Sequence, residues 1–152
     1  MVTPAITEAV GRATAGELAA HLARCDVAFE PPLSSRVSLD AYAAKLVANA
    51  VCLEAWDNKR LVASVAMYCG DDAFISNVSV DPQWTRRGLA ARLVSRAVAC
   101  AWQRRMPRVR LEVAASNTAA IALYRRAGFA MASDREGTLS MYLINPDGAL
   151  DE

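Results

Sequence analysis

Histidine is all but missing from this chain, with His21 standing alone, and the four cysteines, Cys25, Cys52, Cys69 and Cys100, lie far apart without paired spacing. That scarcity argues against a zinc site and against a disulfide framework. Charge of one sign is lacking too: 17 Lys+Arg face 16 Asp+Glu, a net +1, so the chain as a whole offers no surface for a polyelectrolyte. No stretch reaches the roughly 18 unbroken apolar residues of a membrane span. The opening MVTPAITEAVGRA has no basic start followed by an apolar run, so the expectation is a protein of the reducing cytoplasm, off the membrane. Glycine is scarce as well. Gly88 stands without the companions of the three-glycine dinucleotide fingerprint and without a following Lys-Ser/Thr pair, which sets aside hydride transfer and Walker-type nucleotide hydrolysis.

What the chain does have is apolar content, 54% over 152 residues, enough for one well-buried domain spanning 1-152. Thr14 and Glu17 have capping-box spacing, and the stripe of Leu18, Ala19, Leu22 and Ala23 predicts a helix over 14–25. Pro31 and Pro32 make AFEPPLSSRV a loop, after which Ser38 caps a second helix through Tyr42, Leu46 and Val47. VCLEAW, LVASVAMYC and AFISNVSV, separated by DNKR and GDD turns, predict three strands of an antiparallel meander. Leu89, Leu93, Val94, Ala97, Val98, Ala101 and Trp102 then mark a helix that stops before Pro107. RVRLEVAA predicts a strand, and SNTAAIALYRRAGF a helix capped by Asn117 and closed by Gly128. FAMASD and TLSMYLI predict two last strands. Meander and crossover together point to an α/β (α+β) fold around one mixed sheet.

The stretch DPQWTRRGLAARL joins the strand FISNVSV to a helix starting near Gly88, so unpaired amides and the positive helix dipole face outward there. Gly88 allows close approach to the backbone, Ala90 keeps the next turn small, and Arg86 and Arg87 add positive charge. Such a turn suits a pyrophosphate.

The hexad TRRGLA, Thr85 to Ala90, resembles the signature Arg/Gln-x-x-Gly-x-Gly/Ala of the GNAT superfamily of acetyl-coenzyme A-dependent N-acetyltransferases, with Thr85 replacing the usual first residue. The preceding VSVDP fits the same pattern, and LEVAASNTAAIALYRRAGF, Leu111 to Phe129, resembles the family's fifth strand, fourth helix and Gly-Phe ending. The resemblance covers roughly residues 51 to 144. It implies a central mixed sheet of six to seven strands flanked by about four helices, with the fourth and fifth strands splayed. It also implies acetyl-coenzyme A (coenzyme A) as cofactor, bound along Val78, Ser79 and Val80, the turn Thr85, Arg86, Arg87, Gly88, Leu89, Ala90 and Ala91, then Asn117 and Tyr124.

Acetyl transfer to an amine needs a base for the amine, a donor for the carbonyl oxygen and an acid for the leaving thiolate. Tyr124, two helical turns beyond Asn117, is the acid the family implies. Val78 N–H is the candidate oxyanion donor, with Asn77 marking a bulge beside it. Glu112 stands twelve residues before Tyr124, a spacing that resembles ribosomal-protein N-terminal acetyltransferases, where such a glutamate is the base. Asp71, Asp72 or a water chain are its substitutes. Arg125 and Arg126 are candidates for the cofactor's 3′-phosphate or for the helix dipole alone. On the acceptor side the resemblance selects Phe29, Leu33, Arg36 and Tyr68.

The first expectation is direct acetyl transfer, in a ternary complex, to the primary amine of a small metabolite or amino sugar. A protein N-terminus is the alternative acceptor, and a non-catalytic acetyl-coenzyme A sensor the alternative role. A nucleic-acid module using Arg104, Arg105, Arg108 and Arg110 ranks last, because aromatics beyond Trp102 are not interleaved with them. A homodimer is possible; no metal is expected.

Overall fold

The computed structural model describes residues 5–29 and 31–147. Its strands are β1 Ile6–Val10, β2 Val51–Asp57, β3 Arg60–Cys69, β4 Ala73–Val80, β5 Arg108–Ala114, β6 Ala130–Arg135 and β7 Thr138–Ile144. Its α-helices are α1 Ala15–Cys25, α2 Leu39–Asn49, α3 Leu89–Gln103 and α4 Thr118–Arg126. The strands form a single seven-stranded sheet in the order β1-β2-β3-β4-β5-β7-β6. Among the described strands only β4 and β5 run parallel, and α3 lies in the connection between them. Among the described residues no helix is long and apolar enough to cross a membrane.

Local chemistry explains where the helices begin. Thr14 and Glu17 close the capping box of α1, Ser38 accepts from Ala41 N at the start of α2, and Asn117 accepts from Ala120 N at the start of α4. Each side chain satisfies an amide that the helix itself leaves without a partner.

Two cores divide the sheet by face. α1 and α2 cover β1 to β4 on one side, where Leu18, Leu22, Leu46, Trp56 and Ala66 are buried together. On the other side α3 and α4 bury Leu93, Val94, Ala97, Leu111, Val113 and Met141. Along β5, Val109, Leu111 and Val113 are buried while Arg108, Arg110 and Glu112 are exposed. The alternation follows from a period-two strand covered on one face only, so among the described residues no helix lies over the α1/α2 side of β5, β7 and β6.

The sheet opens where its direction changes. β4 and β5 pair only through Ala73, Ile75 and the residue between them, opposite Val109 to Leu111. Past that point β4 stays paired with β3, but Ala66 faces Asn77 while Met67 faces Ile75, leaving Ser76 as an extra residue. The bulge expected at Asn77 is therefore centred on its neighbour Ser76. It bends β4 away from β5, and residues from Ser76 to Val80 lose their parallel partner. The splay and the mixed seven-stranded sheet agree with the fold expected from the sequence.

Candidate active site

The parallel strands end at the two helix starts, Gly88 for α3 and Asn117 for α4, so the split in the sheet opens directly onto them. Ligands of open α/β sheets bind beyond the carboxyl ends of such strands, where neighbouring connections diverge.

α3 begins differently from the other three α-helices: no side chain caps it. Among the described hydrogen bonds none is donated by the amides of Arg86, Arg87, Gly88, Leu89, Ala90 or Ala91; the first amide to bond back is Arg92 N, to Gly88 O at 3.1 Å. Arg86 and Gly88 both adopt left-handed backbone, φ 64° and φ 75°. For arginine that conformation costs on the order of 1–2 kcal/mol, and alternation of this kind turns successive N–H groups into one concavity. A Cβ added at Gly88 meets nothing of the protein within 4 Å, so it would project into open space before the amides. Uncapped amides, a helix of 15 residues and adjoining arginines together suit a multiply charged anion.

Beside that turn lies a cavity of about 610 Å³, lined by Val80, Trp84, Thr85, Arg86, Gly88, Leu89, Ala90, Ala91 and, from the helices, Ser95, Val98, Leu123, Arg126 and Ala127. Its size suits a cofactor-sized molecule. Seven of the sequence-derived cofactor residues line it, and coenzyme A fits the donor set: amides and arginine at the turn for phosphates, apolar helix walls for the remainder. Arg87 instead stacks on Trp84, its guanidinium carbon 4.5 Å from the ring centre. Arg92 and Arg96 turn away and pair with Glu8 on β1. Trp84, Ser95, Val98, Leu123 and Ala127 were missed by sequence reasoning. Ser95 and Val98 lie one turn apart on α3, and Leu123 and Ala127 one turn apart at the end of α4; such spacing signals only a helix face, and the packing of two helices decides that the face lines a cavity.

The turn is held by a buried polar knot. Asp81 is buried, accepts from Gln83 N at 3.0 Å, and meets Arg24 Nε at 3.1 Å and Arg60 Nη2 at 2.8 Å. Those bonds outweigh the desolvation that opposes its charge and hold its carboxyl below the usual carboxylate range. Ser79 also faces α1 and not the cavity: its hydroxyl lies 2.9 Å from His21 Nε2, while His21 Nδ1 lies 3.1 Å from Leu61 O. Burial, aided by nearby Arg24, pushes the His21 pKa down to about 4, so at neutral pH this imidazole is an uncharged tie between α1 and β4.

Tyr124 and Glu112 occupy opposite sides of the sheet. Tyr124 is buried in the α3/α4 core with Leu89, Val113 and the partly buried Val78 and Val80, edge-on to Phe129 at 6.0 Å. Burial alone pushes its pKa up to about 12, with no hydrogen bond to its hydroxyl among the described residues contributing. Glu112 is exposed on the helix-free face. Between the two, β4 and β5 are no longer paired past Ile75 and Leu111. Asn117 caps α4 through its side-chain oxygen, which accepts from Ala120 N at 3.2 Å, and its Nδ2 donates no hydrogen bond among the described residues.

The proposed acceptor residues are not brought together as a set. Leu33 is buried in the α1/α2 core, and Arg36 is exposed. Phe29 and Tyr68 pack partly buried against that core beside Tyr42, whose hydroxyl lies 3.4 Å from Ser76 Oγ.

Fold and turn thus define an α/β protein with an uncapped helix start and an adjoining cavity suited to a phosphate-bearing cofactor, at the carboxyl ends of two parallel strands that part. The model of the Acetyltransferase (GNAT) family matches residues 17–129, and the chain belongs to that family of acetyltransferases. Curated relatives include the ribosomal protein bS18-alanine N-acetyltransferases of Salmonella typhimurium, 37% identical over 79 residues, 52% of this chain and 53% of the relative. That of Escherichia coli K12 is 38% identical over 81 residues, 53% of this chain and 52% of the relative. The chain thus spans about half the length of the curated relatives it matches. Among solved structures, the ribosomal-protein-S18-alanine N-acetyltransferase of Escherichia coli superposes with TM-score 0.75 at 26% identity, covering 93% of this chain and 94% of that one. PaiA N-acetyltransferase from Thermoplasma acidophilum, solved with coenzyme A, has TM-score 0.73 at 11% identity over 91% of this chain and 99% of its own, a likeness of fold.

Proposed function

We propose that the chain transfers an acetyl group from acetyl-coenzyme A to the α-amine of a protein or peptide N-terminus, by direct attack in a ternary complex. The observation that carries this reading is the disposition of Glu112 and Tyr124, one exposed and one buried, on the two sides of a single gap in the sheet. The relatives named for ribosomal protein acetylation support an N-terminal acceptor over the small metabolite or amino sugar expected first. So does the broad helix-free face of β5, β7 and β6, which has room for an extended chain.

Acetyl-coenzyme A supplies the activated acyl group, an electrophilic thioester carbonyl. The amides from Arg86 to Ala91 hold its diphosphate, Arg126 adds charge within the cavity, and Asn117 contacts the pantetheine arm. An α-amine has an ordinary pKa of about 8 and is mostly charged at neutral pH. Glu112, directly or through a water, takes that proton and leaves the amine nucleophilic. The Val78 amide, past the last β4–β5 pair, donates to the carbonyl oxygen as charge grows there. Tyr124 keeps its proton across the working pH range because of its raised pKa. That phenol would give its proton to the sulfur as the C–S bond breaks, and the second proton lost by the amine as the amide forms would restore it.

Peptides with free N-termini, the same peptides blocked at the N-terminus, and a panel of small amines, each incubated with acetyl-coenzyme A, test this reading. Expected is a single acetyl gain, by mass, on free N-termini and none on blocked ones. Turnover of small amines alone refutes it.

A further inference from the structure

A second, shallower cavity of about 210 Å³ opens on the helix-free face, lined among others by Arg108, Arg110, Ala132, Ser140, Tyr142 and Ile144. It shares no residue with the cofactor cavity. Register ties it to Glu112: on adjoining strands Glu112 pairs with Ser140, Arg110 with Tyr142 and Arg108 with Ile144. The groove therefore starts beside Glu112 and runs back along β5.

Charge along the groove is ordered, with the Glu112 carboxylate at one end and two guanidinium groups at the other. Asp72 meets both arginines through one oxygen, Oδ2, at 2.7 Å from Arg108 Nε and 3.0 Å from Arg110 Nε. The Nη groups of both arginines have no partner among the described residues, and two positive charges on one negative leave a surplus of one. Arg110 is braced further, its guanidinium carbon 5.3 Å from the centre of the Phe74 ring. Both guanidinium groups rise from a strand and are held at Nε, so their open sides are oriented for a second carboxylate.

We infer that this groove receives an acceptor polypeptide downstream of its reacting amine and selects a carboxylate on the third residue. The inference rests on the N-terminal acceptor proposed above. An extended chain advances about 3.3 Å per residue, as β5 does. With the first residue's ammonium at Glu112, the third residue comes level with Arg110 and the fifth with Arg108. Ala132, Tyr142 and Ile144 supply an apolar floor for the aliphatic part of those side chains. Opposite charges at the two ends of the groove thus match an ammonium and a carboxylate held two residues apart.

Short peptides alike except for glutamate, glutamine or lysine at the third position test this with the unaltered protein, so no variant need fold. Glutamate is expected to give kcat/KM about fivefold above glutamine, with lysine lower still, through KM. The same order is expected in peptide binding read by fluorescence anisotropy, and the preference shrinks as salt rises. Arg110→Gln abolishes the preference at the third position, and Arg108→Gln abolishes any at the fifth. Equal kcat/KM for three well-acetylated peptides overturns the groove while the N-terminal acceptor stands. Failure to acetylate any peptide, with small amines turned over, overturns both.

Discussion

Replacing Gly88 by alanine separates backbone cost from ligand contact. With φ at 75° the new residue sits in left-handed backbone, which costs about 1–2 kcal/mol for a residue with a Cβ. For a domain of this size that lowers Tm by roughly 2–8 °C. The protein itself adds no clash, since a Cβ at Gly88 meets nothing within 4 Å. Gly137 is the matched control: its φ is 87°, it too has nothing within 4 Å of an added Cβ, and it lies in the β6–β7 turn, outside the cofactor cavity. Gly137→Ala is expected to lose comparable stability and to bind coenzyme A normally. In Gly88→Ala the methyl stands before the open amides and denies a phosphate at least one charge-assisted hydrogen bond, about 1.5–3 kcal/mol or roughly 10- to 150-fold in Kd. Calorimetric titration of both variants with coenzyme A, alongside thermal unfolding, reads the two effects independently. Equal coenzyme A affinity in Gly88→Ala and Gly137→Ala refutes the assignment of the diphosphate to this turn.

Tyr124→Phe removes a hydroxyl without a hydrogen-bond partner among the described residues, so folding and coenzyme A affinity stay close to those of the unaltered chain. kcat is expected to fall on the order of 10²–10⁴-fold, and a variant that turns over normally removes Tyr124 from the chemistry. Stability is expected to fall in mild acid through His21. Its folded pKa, about 4, lies below the ordinary value of 6.5, so the unfolded chain binds the extra proton between those values. The contribution is fully present above pH 6.5 and fades as pH falls toward 4, by about 2 kcal/mol at pH 5. Urea unfolding at pH 7 and pH 5 measures it, and an unchanged midpoint contradicts a neutral buried imidazole.

Helix starts were legible because their causes are local. Thr14 with Glu17, Ser38 and Asn117 act over three residues, and apolar periodicity separated the strands of the meander from α3. The uncapped turn before α3 was legible for the same reason, since Gly88 and the arginines stand beside the helix they precede. The bulge at Ser76 was displaced by one residue from the expected Asn77, because its position depends on pairing with Ala66 and Met67 of β3. Leu33, expected at the acceptor side, is buried in the α1/α2 core instead. No local pattern distinguishes an apolar loop residue that seals a core from one that lines a site.

The chain's own order of residues determined the family, the elements and the glycine-containing turn before α3, all of which arise from interactions within a few positions. Tertiary structure alone decided that β7 would enter between β5 and β6, that β4 would part from β5, and that Glu112 and Tyr124 would flank that gap from opposite sides. Those features come from contacts between segments far apart in the chain, where strand register and competition for a shared core set the outcome, and neither is encoded in any short window.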